Sequence, residues 1–472
     1  MNSQRNDRNR RREGVGSATL LLLGVAGALA LAGPAGSAPK AAAAQDTILN
    51  EVIKSGGAQV RYAVPDFVPA TPDLADVART LGQVLWNDLE FEREFYMIPR
   101  DTYASIPPVR GGAAIPFASW RELGADALVY GTVERVGDQL RVEYRLYNVA
   151  SGRQVAGQRL EAAAQNPRLL AHVISDRIFL QQRNLKGVAQ TKLAFISDRN
   201  RDPILGTVEK REVKEVYISD YDGAREQRIT VSRSLNLNPS WAPDGRAIAY
   251  TAYGPRGTDI VVSRIYEGTL HRPAKGVGNN HLAAISPDGS RIAFASSRDG
   301  SRRYEIYVAN LDGSNLRRLT NNPADDLTPT WSPSGAQIAF TSDRTGRPQV
   351  YMMNADGTGE VMLVSRGEAE ADRPTWSPAP YNEIAFTART GSWYDIKIYD
   401  VASREIRQIT FNNQTGGSNE SPAFSPTGRH IAFTSTRTGT KQIFVIGRDG
   451  QGVRQITRVG NNQTPSWSAN PN

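Results

Sequence analysis

Catalytic and metal sites are built mostly from histidine, cysteine, clustered carboxylates and activated hydroxyls, and this sequence of 472 residues is sparing with the first two. It holds no cysteine and four histidines, His172, His271, His281 and His430. The lack of thiols excludes disulfides, thiolate nucleophiles and thiolate metal ligands. None of the histidines stands at a metal-ligand spacing from another. No Gly-x-Ser-x-Gly pentapeptide occurs, so the nucleophile elbow of a hydrolase domain is missing. Gly111-Gly112 is followed by no Lys-Ser or Lys-Thr, and no glycine-rich strand-to-helix turn of dinucleotide type is present. His172 falls among apolar residues at helical spacing, the setting of a packed or surface histidine. No cofactor is implied. What remains for metal-dependent chemistry is a convergence of His281 and His430, which only a circular fold would arrange.

Such a fold is what the repeats specify. From Trp331 the chain reads Trp-Ser-Pro-Ser-Gly, then Ile338-Ala339-Phe340-Thr341-Ser342, Asp343-Arg344-Thr345-Gly346, Val350-Tyr351-Met352-Met353, Asp356-Gly357 and Val361-Met362-Leu363-Val364. β-branched and aromatic runs separated by Pro, Ser, Gly and Asp-Gly punctuation make this four short strands and three turns. The unit recurs with Trp241, Ile285, Trp331, Trp376, Phe424 and Trp467 in equivalent places, at steps of 44, 46, 45, 48 and 43 residues. That is the period of a four-stranded propeller blade. A Leu/Ile-Ala-Phe/Tyr strand appears six times, at Leu193, Ile248, Ile292, Ile338, Ile384 and Ile431, which predicts six blades. The copy at Leu193 lacks its opening strand and the copy at Trp467 lacks the rest of a blade. Pairing the two closes the ring and hides the edges of an open array.

The rest of the chain divides in two. Residues 8–12 are basic, residues 20–31 form an uncharged apolar core, and small residues follow. This is the pattern of a secretory signal peptide over residues 1–44, cleaved near Ala44, and it predicts a destination outside the cytoplasm. Residues 45–187 carry mixed periodicities. A strand is expected over residues 59–67, and a helix opened by Pro72 with Leu74, Val77, Ala78, Leu81, Leu85 and Leu89 on one face. Strands are expected over 95–98 and 127–133 with a short helix about Trp120 between them, then an alternating strand over 140–149 and a helix over 167–182. The sequence therefore predicts a small α/β N-terminal domain, residues 45–187, followed by an all-β six-bladed propeller, residues 188–472, closed by a C-terminal strand. The net charge of +8 does not signal nucleic acid. Half of it lies in the leader, and Arg298, Arg344 and Arg437 occupy one recurring turn instead of a basic stripe.

Strand order sorts the loops by face. The Trp-Ser-Pro-Asp-Gly-type turns and the second Asp-Gly turns share one end of the ring and are stereotyped, as tight turn chemistry requires. The blade-to-blade connections at the other end differ: 235–238, 278–281, 324–328, 368–372, 417–420 and 460–463. Variable polar loops on a rigid scaffold are where recognition residues are expected.

Leader, Trp120-Arg121-Glu122-Leu123-Gly124-Ala125-Asp126-Ala127-Leu128-Val129, Ser219-Asp220-Tyr221-Asp222-Gly223 and the segment from Phe340 to Tyr351, in this order, resemble the TolB family. The resemblance covers nearly the whole chain. It implies a non-enzymatic periplasmic adaptor of the Tol-Pal system. The propeller opening would receive the peptidoglycan-associated lipoprotein Pal, and the N-terminal region would contact TolA, in support of outer-membrane integrity and cell division. Carried over by position, the Pal-facing residues are Asn279, Asn280 and His281 with Asp325, Asp326 and Thr328. The family's histidine falls nearest Asn279, and residues 46–53 read as helical where the family has an extended apolar segment. Two alternatives stay open: a propeller-type hydrolase or polysaccharide lyase, and a secreted module that binds glycan or peptide.

Overall fold

The computed structural model describes residues 59–107, 114–200, 213–274, 276–300, 303–359 and 361–470. The expected leader and the helical reading of residues 46–53 lie outside the described residues.

The N-terminal domain is a mixed sheet covered by two helices. Strands run in the order Tyr96–Met97, Arg61–Ala63, Ala127–Val136, Gln139–Asn148, Gln154–Ala163, with Val68–Pro69 pairing further along Ala127–Val136. Pairs made by Arg61–Ala63 are parallel, and the three long strands form an antiparallel meander. The expected strand over 59–67 is divided, because Pro65 has no N–H to give the ladder. Gln154–Ala163 was not expected: its Ala/Gly-rich run has little strand propensity and is held by pairing with Gln139–Asn148.

A single 3-10 turn, Pro72–Leu74, starts the helix Ala75–Glu92. Leu74, Ala78, Leu81, Leu85 and Leu89 are buried on one face, as their spacing predicts. Arg93, in the left-handed region at φ 59°, ends the helix and donates its N–H to Glu90 O. The second helix, Pro167–Arg183, has Pro at its first position and ends at Asn184, also left-handed. Leu170, Ile174, Ile178 and Phe179 pack with the first helix and the sheet in one core.

Six four-stranded antiparallel sheets follow. The innermost strands of the first to sixth blades are Asn236–Trp241, Asn280–Ile285, Asp326–Trp331, Ala371–Trp376, Asn419–Phe424 and Asn462–Trp467. The sixth blade takes its other strands from the far end of the chain: Lys192–Ser197, Glu215–Asp220 and Gln227–Arg228. Trp467 stands opposite Leu193 and Asn462 opposite Ser197, so the ring closes as the split repeat predicts. Thr191 and Lys192 reinforce the seam: Trp467 Nε1 donates to Thr191 Oγ1 at 2.7 Å, and Lys192 N to Ser468 Oγ at 2.9 Å. Between blades, Trp331 Nε1 donates to Ala284 O of the neighbouring blade at 3.0 Å, and its ring joins Ile306 and Val308 in one cluster. No blade buries these faces alone.

Each inner strand carries the same irregularity. Register shifts by one step in its middle, at Asn238, Leu282, Thr328, Arg373, Ser421 and Thr464, all with φ between 49° and 58°. Except in the second blade, proline follows. The inner strand is an edge strand facing the axis, where a missing N–H is harmless and the bulge blocks further pairing. Threonine hydroxyls of the preceding blade accept the bulge N–H: Thr251 from Leu282, Thr387 from Ser421 and Thr434 from Thr464, at 3.1, 2.9 and 3.0 Å.

Trp467→Ala is expected to cost about 3–5 kcal/mol, a large-to-small change at the closing seam. Trp393→Ala, at a residue 48% exposed, should change stability by no more than about 0.5 kcal/mol. Denaturant midpoints of the two variants measure this; equal effects would mean that the seam is not where the ring is held.

Candidate functional site: the propeller mouth and the domain interface

Because the connections lead straight into the inner strands, the six residues expected to face a partner sit on two adjacent blades at one rim. Asn279 precedes the second blade's inner strand and Asn280 and His281 open it; Asp325 precedes the third, which Asp326 opens. The rim is built stiffly. Asn279 Oδ1 accepts the Thr258 N–H at 3.0 Å, and Asp325 Oδ1 the Tyr304 N–H at 2.9 Å. His281 packs edge-on against Tyr304, ring centroids 4.3 Å apart. Burial lowers the pKa of His281 to about 4, only partly offset by Asp325, so the ring is neutral at pH 7, and its Nε2 has no hydrogen-bond partner. Thr328 lies deeper, on the channel wall, its hydroxyl 2.7 Å from that of Thr341.

Asn280 and Asp326 have a different place. Both are buried, at 1% and 0% exposure. Asn280 Oδ1 accepts from Ser296 Oγ at 2.6 Å and Arg298 Nη2 at 3.0 Å. Asp326 accepts from Asn322 Nδ2 at 2.6 Å and Arg344 Nη2 at 3.1 Å. The arginines of the recurring turn explain the pattern. Arg199, Arg298, Arg344 and Arg437 each lie over an aromatic ring of their own blade, 4.6–5.2 Å from the nearer centroid, and reach the first residue of an inner strand. Asn280 and Asp326 thus hold the rim that Asn279, His281, Asp325 and Thr328 present.

His281 and His430 do not converge. His430 begins the second strand of the fifth blade, at the far end of the ring, with its ring 4.5 Å from that of Phe91. Burial, with Arg429 beside it, lowers its pKa to about 3. Among the described residues no group of three or more His, Asp or Glu side chains is placed to hold a metal ion.

That far end carries the N-terminal domain. Asp88, on the first helix, accepts from Tyr221 Oη at 2.7 Å through Oδ1, while Oδ2 lies 2.8 Å from His172 Nδ1. On its other side His172 Nε2 lies 3.9 Å from Asp220, which is itself paired with Lys192 and Arg225. Glu92 accepts from Arg429 and from the Val188 N–H, both at 2.8 Å, and Asp176 accepts from Ala189 and Gln190 of the linker. Ion pairs Arg168–Asp222, Arg93–Asp449 and Arg454–Glu90 surround this buried centre. The sequence gives no local signal for the Asp88–His172 contact, whose members lie 84 residues apart on two helices.

A family model described as the TolB beta propeller domain matches residues 182–470, and one described as the TolB amino-terminal domain matches residues 50–155. The chain belongs to the TolB family. Its relatives include two proteins named Tol-Pal system protein TolB. That of Roseobacter denitrificans is 34% identical over 193 residues, 41% of this chain and 42% of the relative. That of Ruegeria sp. strain TM1040 is 31% identical over 242 residues, 51% of this chain and 53% of the relative. The chain thus spans about half the length of the curated relatives it matches. TolB from Acinetobacter baumannii, 24% identical, shares the fold with a TM-score of 0.71 over 87% of this chain and 97% of that one. The six-bladed ring and the small α/β domain are therefore those of TolB proteins.

Three groups at or beside the domain interface have raised pKa values. Burial works against a charged His172, yet the carboxylates of Asp88, Asp222 and Asp220 prevail and raise its pKa. Burial pushes Glu92 up to about 7 against Arg429, and Asp176 up to about 6 against its hydrogen bonds from Gln190 and Ala189. A group whose pKa is raised in the docked state contributes stability below its ordinary value and loses it as pH rises through the raised one. All three act in the same direction. Between about pH 5 and about pH 8 the linker over residues 184–191 should become more sensitive to protease, and Glu92→Gln should flatten that dependence. A cleavage rate independent of pH would show that these groups are not linked to docking.

Proposed function

We propose that this chain is a non-enzymatic periplasmic adaptor of the Tol-Pal system. Its propeller mouth binds a Pal-like outer-membrane lipoprotein, and its N-terminal region contacts TolA, in support of outer-membrane integrity and cell division. Residues 45–187 and 188–472 are its two domains; the last helix of the first ends at Arg183 and the first propeller strand starts at Lys192. The observation that carries the reading is the rim itself: partly exposed Asn279 and Asp325, each held by a backbone N–H of its own rim, with His281 packed against Tyr304, at the face opposite the docked N-terminal domain. Family membership and the relatives' name support the assignment to the system. The secretory leader supports the periplasm, and no helix among the described residues is long and apolar enough to cross a membrane. The mechanism has no chemical step. A rigid polar rim excludes water around a few anchors, the usual anatomy of a protein–protein site.

Affinity of the full mature chain for the purified lipoprotein of the same organism tests this. His281→Ala with Asp325→Asn should weaken binding about tenfold or more, the loss of one or two contacts of about 1–2 kcal/mol, with little change in melting temperature. Asp326→Ala should instead lower the melting temperature, because Arg344 loses its buried carboxylate. Unchanged affinity in the double variant would take the rim out of the site; retention of glycan fragments alone would favour a glycan-binding module.

A further inference from the structure

The six bulge residues Asn238, Leu282, Thr328, Arg373, Ser421 and Thr464 line the throat of the channel, a space of about 120 Å³. Five have neutral side chains. Arg373, on the fourth blade, does not. Its Nη1 donates to Oδ1 of Asn238 at 3.0 Å, and Asn238 belongs to the first blade, three blades away in a ring of six. The side chain therefore crosses the axis and lies over the throat. Its neighbour Asp372 forms only a long, partly exposed ion pair with it, Nε 3.8 Å from Oδ2 and beyond hydrogen-bonding distance, which leaves the donors of the fork free for a closer acceptor. Asp372 Oδ1 is occupied by the Arg373 N–H at 2.6 Å and by Thr341 Oγ1 at 2.9 Å. Thr341 in turn touches Thr328 of the rim set, so the guanidinium is continuous with the proposed partner surface.

We propose that Arg373 is the anion-recognising residue of the propeller mouth, taking a carboxylate from an acidic side chain of the bound lipoprotein. This rests on the partner-binding reading of the mouth. A guanidinium has five donors in a planar fork, and the amide oxygen of Asn238 is the one hydrogen-bond acceptor it meets among the described residues. A neutral oxygen is a weak partner for that fork. A carboxylate matches it in two parallel bonds and replaces Asn238 without moving backbone. The setting adds selectivity: among the residues that line the throat Arg373 alone is charged, so it is the group that an anion offered from the rim would meet. Backbone holds the group in place, since the bulge that projects it is repeated around the ring and pinned by its neighbours.

Two measurements on the full mature chain test this. Affinity for the purified lipoprotein should fall at least tenfold in Arg373→Gln and less in Arg373→Lys, which keeps charge but loses the fork. Asn238→Ala frees the guanidinium and should bind as well as wild type or better. Wild-type affinity in Arg373→Gln would overturn the proposal; so would lost binding in a folded Asn238→Ala, which would make the contact a strut. The second measurement is a titration with N-acetylglutamyl amide, followed by the Arg373 side-chain NMR signal and by binding heat. Saturation in wild type but not in Arg373→Gln supports a carboxylate site, and the same response in both overturns it. If wild type takes the amino-acid probe but never the lipoprotein, the partner reading falls and the carboxylate site stands.

Discussion

Pairing of Asn462–Trp467 with Lys192–Ser197 joins chain segments 276 residues apart at the Lys192–Ser468 bond, and every other feature of the propeller presupposes it. A blade buries its faces only against two neighbours, so an open array would leave the aromatic faces of the terminal blades wet. Closure removes that exposure and makes the position of each rim residue depend on all six sheets. The sixth blade is also where the N-terminal domain docks. Tyr221 and Asp222 lie in its outer part, while Arg429, Asp449 and Arg454 belong to the fifth. Asn470, just beyond the closing strand, donates to Gly187 O of the linker at 2.8 Å. The domain therefore sits across the seam, and docking and closure reinforce one another.

Much of this was legible in the sequence because the repeats state it six times. Period, strand type and split terminal repeat identified the propeller and its closure, and Asp-Gly pairs marked the turns. The N-terminal domain was legible where one face is strongly patterned, as in Ala75–Glu92. It was not legible at Gln154–Ala163, whose structure comes from a partner strand. Within the site, position along the repeat located the rim but not depth. Asn280 and Asp326 are polar in sequence and buried in the fold because the turn arginines need acceptors there, a pairing across 18 residues that no local pattern displays. Arg373 is a different case. Its register equivalents are Asn238, Leu282, Thr328, Ser421 and Thr464, so alignment of the repeats alone singles it out as the charged member; that it spans the axis emerges only once the ring is closed.

The two faces of the ring use polar groups differently. At the docking face they are withdrawn from water: Asp88, His172 and Tyr221 are all nearly inaccessible, and removing any one leaves buried partners unsatisfied. Charges taken from water must first recover their hydration, so such a network adds less net stability than its number of bonds implies. At the mouth, Asn279 and Asp325 stay partly exposed, each accepting one backbone N–H and keeping acceptor capacity to spare.

Identical bulges around the throat reconcile rigidity with variation. A non-glycine residue at positive φ is strained by roughly 1–2 kcal/mol and persists only where surroundings fix it. Here the surroundings are the proline that follows in five blades and, for four of the six, a threonine hydroxyl on the N–H. Backbone is thereby set independently of the side chain, which is why asparagine, leucine, threonine, arginine and serine all occupy equivalent positions. A throat built this way can change its chemistry by one substitution without disturbing the ring, because the backbone that presents each side chain is fixed by the proline and the threonine around it.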